Sequence, residues 1–193
     1  MPSEKGQRIV VVDTGFILSV AATEDLVPAL EIIWKARTLW SQEVRSELRY
    51  RDLNPGKGIP PGLASRALNG SVRWLPAPTE LTDDQRKQAI LLAEQIGGVG
   101  TKDNIGEASS AVLAIEHNGI IATEDREAAK IIWTVLGVRA VSICDVLEHL
   151  YETKIWNVAK IEEALDSMIA KGRPHVANIT ARQIADKSWR NFI

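Results

Sequence analysis

Acidic residues in four separate stretches could form one metal site if the fold gathers them: Asp13, Glu47, Glu107 and Asp125. Carboxylates held close together repel one another and raise each other's pKa. A hard divalent cation relieves this repulsion, and oxygen ligands without His or Cys favour Mg²⁺ or Mn²⁺ over Zn²⁺. One or two such ions activate water and stabilise the charge of an in-line phosphoryl displacement. We therefore predict the hydrolysis of a phosphodiester.

Two of these acids follow apolar runs that predict buried strands. The β-branched run Ile9–Val12 ends at Asp13, and the run Ile120–Ala122 is soon followed by Asp125. A run that is apolar on both faces is typical of a parallel sheet covered by helices. Ligands bind at the carboxyl ends of such strands. Both acids could instead be structural, Asp13 as the N-cap of a helix at Phe16 and Asp125 as a first-turn acid.

Glu43 and Glu47 are four residues apart on a predicted helix, so they share a face. Glu47 borders the apolar stripe of Val44 and Leu48 and can reach inward, which makes it the preferred site residue of the two. The alternative for Glu47 is a surface ion pair with Arg51.

Asp103 and Glu107 repeat this spacing at the start of a predicted helix that runs to Glu116. The stretch from Asn104 to Glu107 also has the spacing of a capping box, which requires no catalysis. Gly106 weakens a helix. It is expected where the backbone must approach a neighbour or a ligand.

Two other acid chemistries fit poorly. Asp13-Thr14-Gly15 is the triplet of aspartic proteases, but that chemistry needs two such aspartates in a β-rich fold, and the triplet occurs once here. An aspartyl-nucleophile phosphatase would need a second aspartate where Gly15 stands.

Length and composition indicate a globular chain with a substantial core. The chain has 193 residues, 45% of them hydrophobic, and a formal net charge of -2. Nucleic acid would therefore have to bind through a local patch. The single cysteine, Cys144, excludes an internal disulfide and is expected as a packed core thiol. We see no signal peptide or membrane span and expect a cytoplasmic protein.

Alternating strand and helix patterns predict an α/β fold: a three-layer α/β/α domain with a mainly parallel sheet over residues 1–152. An edge strand is predicted at Val72–Leu75. Residues 153–193 predict a helical C-terminal extension. Its basic residues could form a solvated face or contact nucleic acid: Lys171, Arg173, Arg182, Lys187 and Arg190.

The order of these motifs resembles the PIN-domain nucleases over about residues 9–150. The matching motifs are strand-Asp13-Thr14, Val44-x-x-Glu47-Leu48, Gly106-Glu107-Ala108 and Ile121-Ala-Thr-Glu-Asp125-Arg126. The resemblance implies a metal-dependent endoribonuclease that acts on single-stranded RNA. It also implies a homodimer and the role of toxin in a bacterial toxin–antitoxin pair, silenced by an antitoxin protein. This chain is longer than the compact toxins, through the loop at residues 54–62 and the tail.

By this resemblance Asp13, Glu47, Glu107 and Asp125 form the acidic metal site. Asp103 is a supplementary acid, and Thr14 or Thr123 orients a ligand or water. Basic residues that flank the acids in sequence are candidates for phosphate contacts, with surface solubility as the alternative: Arg45, Arg49, Lys102, Arg126 and Lys130. Two alternatives stay open: a DNA-directed or structure-specific nuclease with the same centre, and a PIN-like binding module without catalysis.

Overall fold

The described residues form one parallel β-sheet. The structure is a computed structural model that describes residues 8–34, 36–54, 60–71, 74–97 and 104–192. Its strands are β1 (Val10–Val12), β2 (Thr38–Leu39), β3 (Ile120–Ala122) and β4 (Ala140–Val141). They lie in the order β2-β1-β3-β4, and every pair is parallel. The strand order reverses between β1 and β3, and this is the point where open α/β sheets bind ligands.

Ten α-helices occur in the described ranges: α1 (Thr14–Ala22), α2 (Leu26–Trp34), α3 (Gln42–Leu53), α4 (Leu63–Arg66), α5 (Asp83–Gly97), α6 (Ile105–Glu116), α7 (Arg126–Leu136), α8 (Ile143–Glu152), α9 (Val158–Ala170) and α10 (Ala181–Asp186). A π-helical turn follows α4 at Ala67–Ser71. Short 3₁₀ turns lie at Pro174–Val176 and Ser188–Phe192. Within the described ranges we find no helix with both the length and the apolar character needed to cross a lipid bilayer.

Helices cover both faces of the sheet because β1 is apolar on both sides. Val10 and Val12 pack with apolar residues of α1, α2, α3, α8 and α9. Val11 belongs to a second cluster with α5, α6 and α7. The predicted α/β class and parallel sheet are confirmed, and this layering is compatible with a three-layer α/β/α fold.

The tail after residue 152 packs into the first of these clusters. Ile161, Met168 and Ile184 are fully buried there, and Trp189 is 2% exposed. At about 25 cal/mol per Å² of apolar surface removed from water, burial of these side chains contributes several kcal/mol. The tail therefore helps to stabilise the face of the sheet that carries α1.

The predicted edge strand is wrong for Trp74 and Leu75, which lie in a turn and a bend. Trp74 is buried, and its ring centroid lies 5.8 Å from that of Trp34. This packing holds the segment against the helices instead of beside the sheet. Beyond β2, a single parallel bridge joins Ser41 to Thr79. Residues 72 and 73, and residues 55–59 of the predicted loop, lie outside the described residues.

Cys144 is a buried thiol near the start of α8. Its burial, together with the nearby carboxylates of Glu124 and Asp145, raises the pKa of the thiol to about 12. The prediction of a packed core cysteine is confirmed.

Candidate functional site

Asp13 is a buried acid with one unsatisfied oxygen. It follows β1, is fully buried, and caps α1 by accepting a 2.7 Å hydrogen bond from the Phe16 amide at Oδ1. Among the described residues, the buried Oδ2 has no hydrogen-bond partner. Burial and, next, the charge of Glu107 raise the pKa of Asp13 well above its usual value, against the lowering effect of hydrogen bonding from the Phe16 amide and the Thr123 hydroxyl. The predicted cap is confirmed, and it uses Oδ1 alone.

Asp125 repeats this arrangement at the neighbouring strand. It caps α7, and its Oδ1 accepts a 2.8 Å hydrogen bond from the Ala128 amide. The hydroxyl of Thr123, which is buried, accepts a 3.1 Å hydrogen bond from the Asp125 amide. Two parallel strands therefore end in the same way, each with an aspartate that starts a helix.

Glu107 reaches the same region from the first turn of α6. The predicted capping box is absent, because Asn104 adopts a left-handed conformation (φ 66°) and makes no side-chain cap bond. Burial, then the charge of Glu47, and to a smaller extent that of Asp125, raise the pKa of Glu107 to about 7. Glu107 is thus the carboxylate whose charge couples to the other predicted acids.

Glu47 contacts the site but is already paired. Its Oε2 accepts a 2.7 Å hydrogen bond from the Thr14 hydroxyl, and its Oε1 accepts a 2.8 Å hydrogen bond from Arg51 Nε. The predicted ion pair with Arg51 is therefore present. Gly106 leaves room for this carboxylate, because a Cβ at that position would lie 2.5 Å from Glu47 Oε2. This close approach explains a glycine inside α6.

An open cleft of about 700 Å³ lies at the carboxyl edge of the sheet. Carboxylates and cations both line it, among them Glu107, Glu124, Asp125, Arg126, Arg173 and His175. Arg126 is exposed there. The supplementary acid Asp103 and the predicted phosphate contact Lys102 lie outside the described residues.

Sequence reasoning missed Glu124 as a site residue. Its Oε1 accepts a 2.7 Å hydrogen bond from the Ile143 amide, and its Oε2 lies 2.8 Å from His175 Nε2. Its position directly after Thr123, at the end of β3, was the available signal. Local pattern could not choose between Glu124 and Asp125, because either acid suits the start of a helix.

The donor chemistry of the site fits a hard divalent cation. Asp13, Glu107 and Asp125 offer carboxylate oxygens of the kind that Mg²⁺ or Mn²⁺ binds, and Asp13 Oδ2 is a buried acceptor without a partner. In the described part of the chain, however, no three His, Cys, Asp or Glu side chains are arranged as a ready cage for an ion. The residues therefore fit a hard cation by the type of ligand atom that they offer.

Comparison with known proteins does not identify a family. No family model matches the chain, and neither a curated protein nor a solved structure matches it. The proposal below therefore stands on the site and on the resemblance of the sequence motifs.

Proposed function

We propose that the chain is a Mg²⁺- or Mn²⁺-dependent endoribonuclease that hydrolyses phosphodiester bonds of single-stranded RNA. The observation that carries this proposal is the orphaned Oδ2 of Asp13 at the switch point of the sheet. A buried carboxylate oxygen that has neither a cation nor a hydrogen-bond donor beside it costs free energy. Such a cost is common where an acid serves a ligand, and the neighbouring acids increase it.

In this proposal Asp13, Glu107 and Asp125 hold the ion or ions. A bound ion of this kind supplies an activated water and stabilises charge on the phosphoryl oxygens. Thr14 positions Glu47, and Thr123 fixes the turn that presents Asp125. The raised pKa of Glu107 means that ion binding near neutral pH would displace a proton from it.

The substrate class follows from the shape of the site together with the resemblance to PIN-domain nucleases. The cleft is open to solvent along the sheet edge, so it can admit a segment of a polymer. RNA as the polymer, an antitoxin partner and a homodimer come from the resemblance. They are tested by co-purification with a co-expressed candidate antitoxin and by the mass of the free protein in solution.

The test is cleavage of single-stranded RNA by purified protein with Mg²⁺ or Mn²⁺, and with EDTA as the metal-free control. Asp13→Asn and Asp125→Asn should each lower the rate at least about 100-fold, since losing even an outer partner of a metal ligand costs 10–100-fold. Both variants should remain folded, because an asparagine oxygen can still cap the helix. Parent-like cleavage by both variants would refute the metal-site assignment.

Glu47→Gln and Glu43→Gln form a matched pair on α3. Glu43 points toward α5, where its Oε1 lies 3.7 Å from Arg86 Nε. Only the Glu47 variant should impair cleavage, because Glu47 contacts Thr14 beside the cleft. Equal effects of the two variants would remove Glu47 from the site.

A PIN-like binding module without catalysis is the second candidate. The Glu47–Arg51 pair favours it, because a carboxylate that is already neutralised by an arginine is less available to a metal ion. In that case the parent protein would bind RNA but would not cleave it with either metal ion. DNA cleavage in the same assay would instead indicate the DNA-directed alternative.

A further inference from the structure

Arg173 is a cation of the tail that lies inside the candidate cleft. Its Nη2 donates a 2.9 Å hydrogen bond to the Gly15 carbonyl, and its Nε donates a 3.1 Å hydrogen bond to Ser19 Oγ. Gly15 stands two residues after Asp13, so the guanidinium lies beside the acidic site. These two bonds leave further N–H groups of the guanidinium available.

The end of α9 determines where this side chain goes. Gly172 adopts a left-handed conformation (φ 73°) and donates a 3.1 Å hydrogen bond to the Ile169 carbonyl, while the Arg173 amide donates a 2.9 Å bond to the Met168 carbonyl. This pair of bonds is a Schellman motif, which ends a helix and reverses the chain. The reversal carries Arg173 back toward the first turns of α1.

The next residues hold the reversed segment in place. His175 Nε2 lies 2.8 Å from Glu124 Oε2, and the side chain of Val176 is fully buried. Arg173 is thus fixed from both sides, by α1 and by the end of β3. Burial lowers the pKa of its guanidinium, while the carboxylates of Glu124 and Asp13 act in the opposite direction. An arginine remains charged in such surroundings.

A cleft lined by carboxylates repels a phosphodiester, so a nuclease needs cations of its own besides any metal ion. Arg51 is committed to Glu47 through a hydrogen bond from Nε and an ion pair from Nη2. The two hydrogen-bond acceptors of Arg173 are a carbonyl and a hydroxyl, which are both neutral. Neither bond therefore neutralises the charge of the guanidinium. The guanidinium of arginine is a planar group of hydrogen-bond donors that matches the oxygens of a phosphate.

We propose that Arg173, supplied by the C-terminal segment, binds phosphate oxygens of the RNA in the cleft, so that the tail completes the substrate-binding site. This inference rests on the proposed nuclease function for the identity of the ligand. It assigns a contact with nucleic acid to one basic residue of the tail. Lys171, Lys187 and Arg190 contact groups within the chain instead, and Arg182 is exposed.

The test measures the binding of a short fluorescein-labelled single-stranded RNA by fluorescence anisotropy over a range of salt concentrations. All proteins carry Asp13→Asn, so that the RNA stays intact. Arg173→Gln should weaken binding about 10-fold at low salt and reduce the slope of log K against log salt by about 0.7, the value for one phosphate contact on a single strand. Arg173→Lys should retain most of the slope because it retains the charge.

Two tail variants serve as matched controls. Lys171→Gln removes a 2.9 Å hydrogen bond from Lys171 Nζ to the Ala22 carbonyl, a comparable tie between the tail and α1 that lies outside the cleft. Arg182→Gln removes an exposed charge of α10. Neither should change the salt slope. Thermal melting of each variant separates a folding defect from lost binding.

The outcomes separate this inference from the proposed function. If the parent cleaves RNA and Arg173→Gln has the same salt slope as the Arg182→Gln control, the proposed role of Arg173 is wrong and the proposed nuclease function is retained. If the parent does not cleave RNA but the Asp13→Asn protein binds it, and Arg173→Gln lowers the salt slope, the catalytic proposal fails and Arg173 remains an RNA contact. If the parent does not cleave RNA and the Asp13→Asn protein does not bind it, both proposals fail.

Discussion

Asp13 and Glu148 are both buried carboxylates, but their surroundings are opposite. Oε2 of Glu148 accepts a 2.7 Å hydrogen bond from Trp189 Nε1, and Oε1 accepts a 3.1 Å hydrogen bond from Arg190 Nη2. Lys187 Nζ lies 3.6 Å from Oε1. Asp13 has one cap bond, and its Oδ2 has no hydrogen-bond partner among the described residues. Burial raises the pKa of Asp13, and the charges of Glu107 and Glu124 raise it further.

The comparison separates a structural acid from a candidate functional acid. Glu148 is satisfied within the chain, so it fastens the end of the tail to α8 and has little capacity left for a ligand. The Thr123 hydroxyl interacts with the Asp13 carboxyl and lowers its pKa. Among the described residues, Oδ2 of Asp13 nevertheless has no direct hydrogen-bond partner, so it keeps the capacity to bind a ligand. Burial alone therefore does not distinguish these two acids, whereas the partners of their oxygens do. Position matters as well, because Glu43 Oε2 also lacks a hydrogen-bond partner among the described residues but does not line the cleft.

The largest expected difference is in activity. Asp13→Asn should lower metal-dependent RNA cleavage at least about 100-fold, whereas Glu148→Gln should leave cleavage intact at temperatures well below its melting point. Cleavage rates of the two variants, measured beside the parent protein, check this expectation. If Glu148→Gln loses as much activity as Asp13→Asn while it is still folded, the two acids do not differ in role.

The next largest expected effect is on stability, where the Glu148 variant should lose more than the Asp13 variant. Glu148→Ala should lower the free energy of unfolding by about 2 kcal/mol, because it leaves the buried Trp189 N–H without its acceptor. Asp13→Asn should cost less, since it keeps an acceptor for the cap and removes a buried charge. Chemical denaturation of metal-free protein measures both values. A larger loss for the Asp13 variant would show that its carboxylate is structural.

The pH dependence of stability should reveal the raised pKa values of Glu107 and Asp13. The pKa of Glu107 rises from 4.5 in the unfolded chain to about 7 in the folded chain, so the folded state binds more protons within this window. Stability should therefore fall as pH rises from about 4.5 to about 7, by up to about 3 kcal/mol from this residue. The raised pKa of Asp13 acts in the same direction.

Denaturation in EDTA across this pH range checks the expectation, and Glu107→Gln should reduce the fall in stability to the part that Asp13 contributes. Glu127→Gln removes an exposed acid of α7 and is the matched control. A fall as large as that of the parent and of the Glu127 variant would show that Glu107 does not contribute.

The smallest expected effect concerns the glycine that admits Glu47. Gly106→Ala should gain about 1 kcal/mol in helix propensity and lose a similar amount by displacing Glu47 from Thr14, so that the net change is small. In a Glu47→Ala background the same substitution should stabilise the protein by about 1 kcal/mol. Equal effects in both backgrounds, measured by denaturation, would mean that Glu47 does not restrict this position.

Local sequence was sufficient for the elements that present Asp13 and Asp125. Apolar runs define β1 and β3, and an aspartate directly after or near each run caps the following helix. These signals are local because a cap bond spans three residues and the side-chain pattern of a strand repeats every second residue. Parallel strands then bring both aspartates to one edge of the sheet, which the alternating pattern of elements already predicted.

Only the tertiary structure decided what completes this edge. Arg173 bonds to Gly15, His175 lies against Glu124, and Glu47 is divided between Thr14 and Arg51. The tail contacts join residues far apart in the chain, and their formation depends on how α9 packs against the shared core. No local pattern encodes that packing, because a lysine or arginine after a helix looks the same in sequence whether it faces solvent or a cleft.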